Sequence, residues 1–310
     1  MRRLRGLPRH SPDRTPAATL MTVLVTCVSI VLTSCNRAES AAKTAPAAAK
    51  TGDAVRLVSL SPAITRTLVD LGLDDDLVGR SAYCESVDAT IPVVGDLYEV
   101  DFERLVRLRP TDLLIQPTGD GVPDALAVLA ERHGFTIHAF QLNTVADIRT
   151  MYDRLANDFV ESDDHQITAR NRERVITSSL LHSIDNPPAG TVRTMLVQSL
   201  DPLLVAGTST YLDEILRSAG GVNVVDRAGW AELSLEDATR LNPTVIIVIR
   251  SAERPAGGWR STVLGSIDCD ATREGRVVFI TSPDAMLPSS AILNLIEPIE
   301  LALRDLVPAP

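Results

Sequence analysis

The chain states one fifteen-residue sentence twice. Asp101 to Ile115 reads DFERLVRLRPTDLLI, and Ser234 to Val248 reads SLEDATRLNPTVIIV in the same register without a gap. Five positions are identical: Glu103/Glu236, Arg107/Arg240, Leu108/Leu241, Pro110/Pro243 and Thr111/Thr244. Each copy opens on a residue whose side-chain oxygen can cap a helix, Asp101 or Ser234. Each then runs for about two turns and stops before a proline, which cannot continue a helix. An aliphatic run follows, Leu113 to Ile115 or Val245 to Ile249, suited to a buried parallel strand. A short helix feeding a strand, written twice, predicts two similar α/β lobes. A glutamate in a first helical turn is already favoured by the helix dipole. An acid at the same place in two lobes also fits a grip on a partner with matching symmetry.

At 310 residues the chain can fill two such lobes. Its net charge of −10 argues against nucleic acid as a partner. Five arginines and one aspartate precede Leu20 to Leu32, an uncharged, mostly apolar run too short to span a bilayer as a helix. A basic flank followed by a short apolar core is an export signal. Removing residues 1–34 discards those six charged residues and takes the net charge from −10 to −14. Residues 35–53, rich in Ala, Thr, Lys and Pro, read as a disordered tether. Fully extended, such a segment reaches at most ~60 Å. Cys84 and Cys269 lack metal-binding or redox spacing and are expected as buried free thiols.

Strands and helices alternate from Val55 to Phe140 and again from Val192 to Ile280, as in open parallel sheets. The first half forms a Rossmann-like lobe over residues 54–143. The second half, residues 189–310, repeats the plan. Between them, residues 144–188 carry no strand signal, and Ile148, Met151, Tyr152, Leu155 and Phe159 follow helical spacing. A capping box at Asp163 and Gln166 is expected to restart the helix after a break near Ser162. The fold class is therefore α/β, two Rossmann-like lobes joined by a long backbone helix acting as a stiff strut. Gly220-Gly221 ends a helix instead of opening one, so it is no phosphate loop.

Several of these stretches resemble a known family. Arg56 to Gly79, Tyr83-Cys84, Pro92 to Asp96, the first glutamate helix, Thr208 to Asp226 and Trp230 to Glu236 are similar, in order and spacing, to binding proteins that serve ABC importers of cobalamin and ferric siderophores. Leu32-Thr33-Ser34-Cys35 resembles the lipobox of bacterial lipoproteins, in which the cysteine is lipidated after cleavage. The resemblance implies a monomeric, lipid-anchored carrier outside the cytoplasmic membrane that delivers to a permease dimer with its ATPase. It assigns docking on the permease to Glu103 and Glu236, and membrane attachment to Cys35. The ligand is expected between the lobes, at the C-terminal ends of the strands. Candidates there are Ser61, Pro62, Tyr83, Tyr98, Trp230 and Arg250, with Trp259 a weaker one. Aromatics offer flat faces to a corrin ring or ferric chelate, and Arg250 can answer a carboxylate or phosphate. No protein-held metal or cofactor is expected. The stretch Asp284 to Ser290 lacks the aromatic or arginine residues that members of this group often place before the last helix. Two rivals stay open: an α/β enzyme, for which no nucleophile elbow, H-E-x-x-H or dinucleotide fingerprint is found, and a surface scavenger of corrinoid or haem without a transporter.

Overall fold

The computed structural model describes residues 54–96, 98–117, 119, 121–160, 180, 182–185, 192–251 and 254–306. The export signal, Cys35, the tether and the capping box at Asp163 lie outside the described residues. Among the described residues no helix is long and apolar enough to cross a membrane.

The first lobe is a four-stranded parallel sheet. β1 (Leu57–Ser59) leads through α1 (Pro62–Asp70) to β2 (Leu77–Arg80). Next come α2 (Phe102–Arg107), β3 (Asp112–Ile115), α3 (Asp124–His133) and β4 (Thr136–Ala139). The strand order is β2-β1-β3-β4. α3 ends where the sequence places Gly134, whose φ of 74° is left-handed. Beyond α4 (Val145–Phe159) and the one-turn α5 (His182–Asp185), the second lobe begins with β5 (Val192–Leu200). β6 (Leu203–Ala206), α6 (Tyr211–Ser218), β7 (Gly221–Asn223) and β8 (Trp230–Glu232) follow. The chain then forms α7 (Leu235–Leu241), β9 (Val245–Arg250), α8 (Asp270–Arg273), β10 (Val277–Thr281) and α9 (Ile296–Leu306).

The second sheet contains the first sheet's plan. β5 pairs in parallel with both β7 and β9, and β9 with β10, so the path β7-β5-β9-β10 matches β2-β1-β3-β4. Two additions depart from the expected all-parallel sheet. β6 folds back antiparallel on β5, and β8 pairs antiparallel with β6. β6 was not anticipated, although Asp201-Pro202, between it and β5, is a turn-favouring pair. Residues Ser290–Leu295 form 3₁₀ turns before α9 starts.

Alternation along the strands shows how the layers stack. In β9, Val245, Ile247 and Ile249 join one core while Ile246 and Val248 join another. In β3, Leu114 faces the first of these cores and Leu113 and Ile115 face away. That first core is common to both sheets, and α1, α4, α6 and α9 fill it. α4 supplies Val145, Ile148, Met151, Tyr152, Leu155 and Phe159, all buried on one stripe. Its start is fixed by a capping box between Thr144 and Asp147. The linking helix is therefore more than a spacer: the two lobes pack on it and on each other. Outside this middle layer, α2 and α3 cover the far face of the first sheet, and α7 and α8 the far face of the second.

Polar contacts tie the lobes as well. The Tyr211 amide donates to the Asn143 carbonyl at 2.6 Å, Arg66 approaches Asp284 at 3.8 Å, and Ser290 Oγ bonds the Asp70 carboxylate. The Val145 amide, one of the orphan donors in the first turn of α4, donates to Glu214 Oε2 at 2.7 Å. Burial is the largest influence on Glu214 and raises its pKa, with Asp213 and Asp147 adding to the rise and the Val145 bond and Arg217 opposing it. A carboxyl whose folded pKa is raised contributes stability that is fully present below its unfolded pKa and is lost as pH rises through the folded one. The wild-type melting temperature, measured relative to Glu214→Gln, is therefore expected to fall as pH rises above the ordinary glutamate value. A difference that grows with pH in favour of wild type would show the opposite sign.

Cys84 and Cys269 are free and buried, as their spacing implied. His138 is packed: its Nε2 lies 2.9 Å from Asp112 and its ring meets the edge of Phe159.

Candidate functional site

A cavity of about 430 Å³ opens at the C-terminal edge of the first sheet. Leu60, Ser61 and Pro62 reach it from the end of β1, Gln116 and Pro117 from the end of β3, Tyr83 from the loop after β2, and Asp96 and Tyr98 from the following turn. In a parallel sheet this edge is where loops converge and carry binding groups. Ser61 caps α1 by position, yet its side chain accepts no bond from the helix amides, and its hydroxyl donates to Gln116 Oε1 at 3.1 Å. That bond fixes the Gln116 amide at the cavity wall.

Two aromatic rings flank the opening. Tyr83 is 67 % exposed and Tyr98 87 %, an arrangement that leaves large apolar faces in water. Tyr83 stands on a loop held by Arg80. This guanidinium is buried, and it donates to the carbonyls of Ser81 at 3.1 Å and Ala89 at 3.2 Å. Tyr98 stands on a tight turn in which the Asp96 amide donates to the Glu99 carbonyl and Asp96 Oδ1 accepts from the amides of Tyr98 and Glu99. Gly95 makes the turn possible: its φ is +102°, and a Cβ there would collide with the Glu99 carbonyl. Gly95→Ala is expected to cost about 1–3 kcal/mol and to displace Tyr98. Urea unfolding paired with a ligand titration checks both effects.

Four of the six candidate ligand residues, Ser61, Pro62, Tyr83 and Tyr98, thus meet at one cavity. Trp230 and Arg250 do not line it. Trp230 lies on edge strand β8, 37 % exposed, with its ring edge-on to Tyr211 at 6.2 Å. Arg250 ends β9, one residue beyond the position matching Gln116 in the repeat, and its side chain has no partner among the described residues. Trp259 is in a separate second-lobe cavity, where Arg260 covers its ring at 4.3 Å. Asp96, Gln116 and Pro117 were not nominated from the sequence. The signal for Gln116 was present, since it is the first residue after a buried strand.

The repeat holds at atomic detail. Asp101 accepts from the Arg104 amide at 2.9 Å, and Ser234 from the Asp237 amide at 3.0 Å. At the other ends of α2 and α7, Arg56 donates to the Leu108 carbonyl at 2.7 Å and Arg193 to the Leu241 carbonyl at 2.6 Å. Thr111 and Thr244 then donate to the carbonyls of these same arginines. Even the exit is shared: Arg109 and Asn242 have φ of 46° and 44°. Glu103 and Glu236 sit in the first turns, their side chains 83 % and 84 % exposed, each beside the arginine four residues on. Such exposed pairs contribute little to stability. Because α2 and α7 each run back into the start of a strand, both first turns lie toward the C-terminal edges of their sheets.

A family model described as periplasmic binding protein matches residues 57–283. The chain belongs to this family. It is 29% identical over 200 residues to the vitamin B12-binding protein of Yersinia pestis (strain Pestoides F), covering 63% of this chain and 69% of that one. Among solved structures, the periplasmic vitamin B12 binding protein BtuF of Vibrio cholerae superposes with a TM-score of 0.64 at 21% identity, over 81% of this chain and 97% of that one. The periplasmic heme binding protein HutB of the same species gives 0.65 at 20% identity, over 81% and 99%. At these identities the two structures bear on the fold, and they share the two-lobed α/β form of this periplasmic binding protein.

Proposed function

We propose that this periplasmic binding protein is the ligand-capturing component of an ABC importer, and that its cargo is a large flat metal chelate of the corrinoid class. The observation that carries the reading is the first-lobe cavity with Tyr83 and Tyr98 beside it and Ser61, Asp96 and Gln116 on its polar side. At about 430 Å³ it is too small to enclose a corrinoid, but it can hold one face or edge of it. Trp230 and Arg250 are proposed to meet the cargo from the second lobe, by stacking and by pairing with a carboxylate or phosphate. The vitamin B12-binding relative supports this choice. Haem is the second reading, favoured by the likeness to haem-binding structures; a ferric siderophore is the third. The cargo brings its own metal.

Transport further requires export and delivery. Cleavage before Cys35, lipidation of its sulfur and a tether to residue 53 would hold a monomer at the membrane. Glu103 and Glu236 would then dock on the permease dimer, one carboxylate per subunit, where opposite charge steers and registers the encounter. No catalysis is assigned to the chain. Titration of the purified protein with cobalamin, haem and a ferric siderophore, followed by tryptophan quenching, tests the cargo. Saturable quenching by cobalamin at the tightest Kd supports the corrinoid reading, tighter binding of haem replaces it, and binding of none removes the carrier function.

A further inference from the structure

The repeat places a second pair of side chains where the docking reading has no use for them. Phe102 and Leu235 occupy the same position, immediately before Glu103 and Glu236, and are 41 % and 38 % exposed. Single apolar residues on a surface are ordinary. These two differ in standing on equivalent first helical residues of two equivalent helices, each next to a carboxylate that projects into water.

Local stability does not call for them. An apolar residue at a helix start often serves as a staple, pairing the residue before the cap with the fourth helical residue. In α2 those positions are Val100 and Leu105, both packed in the outer core of the first lobe. In α7 they are Leu233 and Ala238, both buried in the outer core of the second. The staples are therefore complete, and Phe102 and Leu235 lie outside them. Each lobe presents an apolar side chain, a carboxylate and the arginine that pairs with it, in one order on one turn and a half of helix.

We infer that Phe102 and Leu235 are the apolar anchors of the docking surface, each entering a cup on one of two equivalent subunits of the membrane permease, beside the cation that receives the neighbouring glutamate. This deepens the docking reading and rests on it. The occupant must have two-fold symmetry, because the same trio appears once per lobe. It must also offer apolar surface, because a cation alone would leave Phe102 and Leu235 in water. Charge gives the encounter its speed and register, and burial of apolar anchors slows its dissociation.

The test measures binding of the purified full-length protein to the cognate permease–ATPase complex in lipid nanodiscs. Four forms are compared: wild type, Phe102→Ser/Leu235→Ser, Glu103→Gln/Glu236→Gln, and Val128→Ser, which removes an exposed apolar residue on α3 that belongs to neither trio. The Ser pair is expected to weaken binding by about tenfold or more, mainly through faster dissociation, with the salt dependence of wild type retained. The Gln pair is expected to weaken binding and flatten the salt dependence, and Val128→Ser to leave it unchanged. If the Ser pair binds as wild type while the Gln pair does not, the anchors are refuted and glutamate docking stands. Wild-type binding by both pairs refutes the docking reading and the anchors together. Equal weakening by Val128→Ser refutes the anchors as specific. Unchanged melting temperatures show that each form is folded.

Discussion

Replacing both Glu103 and Glu236 by arginine is expected to abolish uptake and to leave ligand affinity unchanged. Both side chains are more than four-fifths exposed and lie on helices packed against the outer faces of the two sheets. Their removal opens no cavity and strands no buried donor, so the fold and the first-lobe cavity are untouched. At the permease the change is far from neutral. If the glutamates dock as proposed, each arginine would meet a cation in place of a carboxylate, and like charges brought together at an interface cost several kcal/mol. With two such contacts the loss is on the order of 10³-fold or more. A single reversal is expected to leave measurable transport, since one lobe still docks. Uptake in cells expressing the transporter, beside the Kd of the purified variant, separates the two effects. Wild-type uptake by the double variant would end the docking assignment.

The second large effect concerns the cavity. Tyr83→Ala together with Tyr98→Ala is expected to weaken corrinoid binding by about a hundredfold, through lost ring-on-ring area. Both rings are mostly in water without ligand, so the substitutions should leave the melting temperature nearly unchanged. Tyr→Phe at the same positions is expected to keep most of the affinity if the flat face matters, and to lose it if the hydroxyls do. Calorimetric titration of the three forms decides. Unaltered affinity in the double alanine form would remove both tyrosines from the site.

Much of this was legible in the residues because the repeat is written in their order. Caps at Asp101 and Ser234, prolines at 110 and 243 and aliphatic runs after them are local signals, and each became the element it implied. The end of α3 at Gly134 was legible for the same reason. What escaped reading depends on contacts distant in sequence. Asp201-Pro202 marks a turn, but that Leu203 to Ala206 pairs back on β5 is decided by the sheet, and β8 becomes a strand only because β6 supplies an edge for it. Nothing local in Arg109 announces a left-handed backbone; Arg56, more than fifty residues earlier, bonds its carbonyl. In the cavity, exposed tyrosines were evident as chemistry, whereas Gln116 was marked only by its place after a buried strand, and its bond from Ser61 is a contact across fifty-five residues.

The core that runs from Leu57 to Leu303 through both sheets has a bearing on heritage and on handling alike. If the halves descend from one duplicated ancestor, neither has kept the means to stand alone. Severed at the linking helix, each would bare the greasy inner flank that its twin now covers. Denaturation should therefore be a single event in which the halves melt together, and truncations that keep only one of them should yield insoluble material.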